Sequence, residues 1–263
     1  MRLTPQRSIG RLVGIMLIIV MAGVLLARSY YGSRNRSVDP RIRQARELYE
    51  HYDGLAQAGN LYEVISLLDS ISALYQSTPH YAASFELGVL HNNRAAAMLT
   101  IALYGDSIPE SANPYRNLST DSLLVLAENQ IHRAITLYEH WNSRFEGKEE
   151  KEIKEMIRVE FMNGLDPGLP DLNDKYLSNR VREISASLVE NRRRLSVCYT
   201  NLGLLYRIRQ EYPEAVTYYE RAIELWDRNL DAENNLNKLL GRPLKKRNII
   251  QKLFPPGKDI NNN

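Results

Sequence analysis

Residues 196–229 read SVCYTNLGLLYRIRQEYPEAVTYYERAIELWDRN, and their spacing decides the fold. Tyr199, Leu202 and Tyr206 recur at helical intervals, as do Ala215, Tyr219 and Ala222, and between the two runs lies Tyr212-Pro213-Glu214. Pro213 there suits the first position of a helix, where its missing N–H is harmless. Gly203 and Ala215 are small enough for two helices to approach closely, and Tyr199, Tyr206 and Tyr219 fill the remaining space with rings whose hydroxyls reach the edge. The stretch therefore encodes a helical hairpin with a tight crossing.

That pattern resembles the tetratricopeptide repeat, a unit of roughly 34 residues with a large aromatic, then Leu-Gly, a second aromatic, and an Ala followed by an aromatic in its second helix. Asp227 stands near the place where the family carries a terminal Pro. The resemblance implies an all-α fold, a superhelix of about three helical hairpins plus a capping helix, because one unit cannot bury its own apolar face. Residues 45–78 fit the frame through Leu48, Tyr52, Leu55, Leu61, Val64, Leu68 and Ile71, without small residues at the crossing. Residues 81–140 offer a first helix with Leu87-Gly88 and a second with Ala127, Ile131 and Ala134, and residues 231–240 read as the closing helix. The repeat domain is expected over 41–240, with loop insertions at 105–121 and 163–177.

Helical periodicity runs through most of the body: 41–58 and 61–75 with Gly59-Asn60 as the break, one long helix from 80 to 104, another over 123–141, and an amphipathic, mostly solvated helix over 146–161. From 178 to 209, Ile184, Leu188, Asn191, Leu195, Cys198, Leu202 and Leu205 recur at alternating four and three. Such a stripe is either the buried face of a bundle helix or a coiled-coil seam with Asn191 fixing register, which would make the chain a structural oligomer.

Charge is unevenly placed along the 263 residues. Residues 1–46 hold nine Arg and one acid, residues 241–263 six bases and one Asp, and the middle nineteen bases against twenty-nine acids. An acidic body repels phosphate backbones, so nucleic acid is excluded as the partner of the repeat domain. Residues 12–27, LVGIMLIIVMAGVLLA, lack any polar side chain and are flanked by Arg11 and Arg28. With 1–11 as a basic leader, 12–28 reads as a transmembrane signal anchor, a removable signal peptide being the alternative. Residues 29–40 then form a linker and 241–263 a basic tail. The expected placement is single-pass in the inner (plasma) membrane with the repeat domain extracytoplasmic (periplasmic), a cytoplasmic-facing body being the alternative.

The resemblance implies a protein or peptide partner held in a concave groove lined by the first helix of each unit. The residues there are Thr200, Asn201, Leu204 and Arg207, with Asn235 and Lys238 in the closing helix. Asn201 and Asn235 occupy equivalent places, and each amide can meet a peptide backbone or serve helix pairing instead. Thr200 stands where carboxylate-clamping members carry Lys, so a terminal carboxylate is not the expected ligand. No nucleophile–base set, phosphate loop or metal motif is present. The five histidines read as surface or half-buried helix residues, Cys198 as packing filler, and Glu149–Glu155 as a solvated charged run. The expected function is a non-enzymatic scaffold with no catalytic residue, metal, cofactor or small-molecule substrate; an enzyme built on residues 105–178 is the remote alternative.

Overall fold

The computed structural model describes residues 38–246. A 3-10 turn, Pro40–Ile42, leads into α1 (Arg43–Glu50) and α2 (Tyr52–Ala58), and Gly59 then adopts φ of +72°, which reverses the chain. Asn60 caps α3 (Leu61–Gln76) by accepting from the Glu63 amide. There follow α4 (Phe85–Tyr104), α5 (Thr120–Phe145), α6 (Glu150–Met162), α7 (Pro170–Ile208), α8 (Tyr212–Leu225) and α9 (Leu230–Leu239). Among the described residues every regular element is helical.

Two crossings organise this stack, and they are built alike. A Cβ on Gly203 would lie 2.6 Å from Cδ1 of Tyr219, and one on Gly88 would lie 2.6 Å from Cε1 of Tyr138. Both distances are far inside van der Waals contact, so each pair of helices, α7 with α8 and α4 with α5, nests only because its glycine has no side chain. Both tyrosines are fully buried, and each lies four residues after a buried alanine, Ala215 or Ala134. The α4–α5 pair is thus a second copy of the hairpin, with a loop spliced between its helices. Within that loop, 3-10 turns at Gly105–Ser107 and Glu110–Ala112 pack Ile108 and Tyr115 against the core.

Helix α7 departs from the expected layout. It is one helix of 39 residues beginning at Pro170, so the expected loop at 163–177 ends after 169. Pro at the first position and Asp171 in the first turn favour a start there, and Tyr176, Leu177, Val181 and Ile184 are all buried. Its amino-terminal half packs on α6 and its carboxy-terminal half on α8, so one helix serves two consecutive pairs. The described domain is therefore four helical pairs and a closing helix, where about three pairs were expected. The coiled-coil alternative is corrected by the same helix: Ile184, Asn191, Cys198, Leu202 and Leu205 are buried inside a single chain, and Asn191 Nδ2 donates to the Tyr138 carbonyl. Near the start of the domain, residues 41–58 break at His51 into two helices; the helix expected from 80 begins at Phe85.

The expected membrane-anchored architecture is corrected as well. No helix among the described residues is long and apolar enough to cross a membrane. The longest, α7, carries Arg180, Arg182, Glu183, Glu190 and Arg192 to Arg194 along its length, each costly in hydrocarbon. Residues 12–28, on which the anchor, the membrane contact and the inner-membrane placement rested, lie outside the described residues. What the fold supports is the all-α repeat domain.

The glycines give a direct test. Gly203→Ala and Gly88→Ala should each destabilise the domain by about 1–3 kcal/mol, since a buried ring must move. Gly54→Ala, in a helix with nothing within 4 Å of its would-be Cβ, should stabilise it by about 0.5–1 kcal/mol. Urea denaturation of the three variants checks the contrast.

Candidate functional site

Polar bridges join α1 to α4, α4 to α7 and α7 to α9. Between α1 and α4, Asn93 Nδ2 donates to the Tyr49 hydroxyl at 3.0 Å, and the Tyr49 ring stacks on Tyr52. Between α4 and α7, Asn201 Nδ2 donates to Asn92 Oδ1 at 2.9 Å. Between α7 and α9, Arg207 Nη1 donates to Asn235 Oδ1 at 3.4 Å. Asn201 and Arg207 are half-buried, Leu204 is half-buried against the core, and Lys238 is exposed. The Asn201 amide thus uses its donor within the domain, while its carbonyl oxygen has no partner among the described residues.

Thr200 lies apart from this row. It is buried, its hydroxyl donates to the Ser196 carbonyl and accepts from Asn229 Nδ2, both at 2.9 Å. Asn229 also donates to Ser196 Oγ and caps α9 through the Ala232 amide, while Ser196 Oγ donates to the Ala222 carbonyl. This satisfied cluster pins α9 to α7 and α8. Asn229, one residue before the closing helix, is its centre; the helix-capping preference of Asn was the available signal.

A second polar cluster holds the other end together. Arg180 of α7 is buried and grips Glu86 of α4 with both ends of its guanidinium, at 2.5 and 3.2 Å. It also reaches Glu183 at 3.3 Å, which in turn pairs with Arg46 of α1 at 2.6 Å, and it lies over the Tyr81 ring. Burial disfavours the Glu86 charge, but the field and hydrogen bonds of Arg180 outweigh it and hold the carboxyl at about 2. His80, with φ of +71°, accepts from Arg180 Nε through Nε2. Arg can only donate, so the His80 proton sits on Nδ1, facing Glu160 at 3.4 Å. Burial and the Arg180 charge lower the His80 pKa to about 4. His80 is therefore a buried turn residue, unlike the surface or half-buried helix histidine expected. Residues as far apart as 46 and 183 meet here, which no local sequence pattern reveals.

Cys198 is buried, and burial pushes its thiol well above the ordinary range, away from nucleophilic use. Among the described residues no three His, Cys, Asp or Glu side chains gather as a metal-binding group.

With this geometry in place, comparison with known families adds one finding. Residues 196–229 match the model of the tetratricopeptide repeat. A repeat of that family is present at the α7–α8 hairpin, where Gly203 meets Tyr219. No curated protein and no solved structure matches the chain.

Two outcomes follow from the Arg180 cluster. Arg180→Met leaves the half-buried Glu86 carboxylate without its partner and should cost about 1–3 kcal/mol, read by chemical denaturation. The depressed His80 pKa means that the unfolded chain binds more protons than the folded one between about pH 6.5 and 4. His80 should therefore contribute on the order of 3 kcal/mol above pH 6.5, lost as the pH falls toward 4. Stability against pH for His80→Asn should be flatter over that window than for the unaltered chain.

Proposed function

We propose that the repeat domain is a non-enzymatic scaffold that holds a protein or peptide partner along the row where α1, α4, α7 and α9 meet. The observation that carries this reading is the bridged series Tyr49–Asn93, Asn92–Asn201 and Arg207–Asn235, which places amide and guanidinium groups across α1, α4, α7 and α9. A side-chain amide offers both a donor and an acceptor to the N–H and C=O groups of an extended segment, and half-burial on rigid helices reduces the entropy lost on binding. Leu204 supplies apolar contact beside Asn201. Thr200 belongs to the closing cluster and acts on the row only by fixing α9.

The test is partner recovery with the chain as bait, comparing the unaltered protein with the double variant Asn201→Asp, Arg207→Glu. These changes remove two interhelical hydrogen bonds and should cost only about 1–3 kcal/mol of stability, leaving the helical circular dichroism intact. Partners recovered by the unaltered chain should be lost from the double variant. Equal recovery by a folded double variant would place the site elsewhere.

A further inference from the structure

The end of α7, the start of α8 and the end of α9 enclose an open groove of about 620 Å³, whose lining includes neither Asn201 nor Asn92. Its apolar lining includes Tyr212, Val216, Leu239 and Leu240, of which Tyr212 is 49% and Leu240 43% exposed. Arg207 and Lys238 supply two cations, and no carboxylate is in the lining; Glu211 and Glu214 lie on the same stretch outside it. The groove therefore suits a segment that carries apolar side chains between acids.

Such a segment is on the surface of the same chain. Helix α6 buries Ile153, Ile157 and Phe161, and its opposite face sets Glu152, Glu155, Met156 and Val159 in one stripe at helical spacing. Val159 is 85% and Met156 42% exposed. Glu155 makes only a long, solvent-exposed ion pair with Arg158 at 4.0 Å, and Glu152 pairs with Lys148 at 3.9 Å while accepting from the Glu149 amide at 3.0 Å in the capping box of α6; such exposed ion pairs are worth little.

We propose that the outward face of α6 in one copy docks in the α8–α9 groove of a second copy. Met156 and Val159 cover Tyr212, Leu239 and Leu240, while the flanking glutamates meet Lys238 and Arg207. The two surfaces differ, so the contact is head-to-tail and propagates into a ring or a chain of copies. One helix face in a groove of this size falls below a stable interface of about 1,200 Å², so association is weak and concentration-dependent. The contact shares Arg207 with the scaffold row but makes no use of Asn201, Asn92 or Asn93, so its failure leaves the scaffold reading standing, and Asn201→Asp alone tests that reading without touching the groove.

The experiment is sedimentation of the full chain from about 5 to 500 µM, the range in which a weak interface titrates. Mass should rise with concentration and fall back in high salt. Lys238→Glu, Glu155→Lys and Val159→Arg should each weaken association by about tenfold or more. Lys238→Glu combined with Glu155→Lys should recover it, and an equimolar mixture of those two single variants, which pairs opposite charges at every contact, should associate as the unaltered chain does where neither variant does alone. A chain that stays monomeric across the range overturns the proposal. So does association that Lys238→Glu weakens while both α6 variants leave it unchanged, because the groove then has another occupant.

Discussion

The structure depends on two places where a helix backbone lies directly against a tyrosine ring. At Gly203 and at Gly88 the facing helix comes so near that even a methyl group would overlap an aromatic carbon. This proximity fixes the crossing of each hairpin, and through it the angle at which the next pair can stack. Because Tyr219 and Tyr138 are buried, the rings have no solvent side into which to retreat, and the restraint is stiff in the way close-packed interiors are stiff.

Polar clusters then decide how the nested pairs are ordered. Arg180, with Glu86, Glu183 and Arg46, joins α1, α4 and α7, and Asn229, with Ser196 and Thr200, joins α7, α8 and α9. Burying an ion pair adds little net stability, but any packing that withdraws the carboxylates leaves the buried Arg180 charge without a partner, so alternative packings of these helices are disfavoured. Between the two clusters runs α7, long enough to be the second helix of one pair and the first helix of the next. The bridges Asn92–Asn201 and Arg207–Asn235 follow from that arrangement, since α7 lies between α4 and α9.

Where the sequence was readable, the reason was local. Gly203, Ala215 and Tyr219 lie within one hairpin, and helical spacing alone brings them together; Leu87-Gly88 marked the second hairpin by the same logic. The start of α7 was obscured because Pro167, Gly168 and Pro170 suggest a loop, whereas Pro170 occupies the one helical position that tolerates it. Arg180 and Glu86 are 94 residues apart, and nothing near either of them announces the other. Among the site residues, Thr200 looked equivalent to its neighbours on the helix surface, yet Asn229 and the closing helix cover it. Asn201 donates to Asn92 and Asn235 accepts from Arg207, partners that could be assigned only from the packing.

The most direct measurement is a double-mutant cycle between Gly203 and Tyr219, using Gly203→Ala, Tyr219→Leu and the pair together in equilibrium denaturation. If backbone-to-ring proximity sets the crossing, the alanine penalty should shrink by at least about 1 kcal/mol once the ring is gone, since the new methyl then has room. Strictly additive effects would mean that the two residues do not restrain each other, and the account of how these helices nest would be wrong.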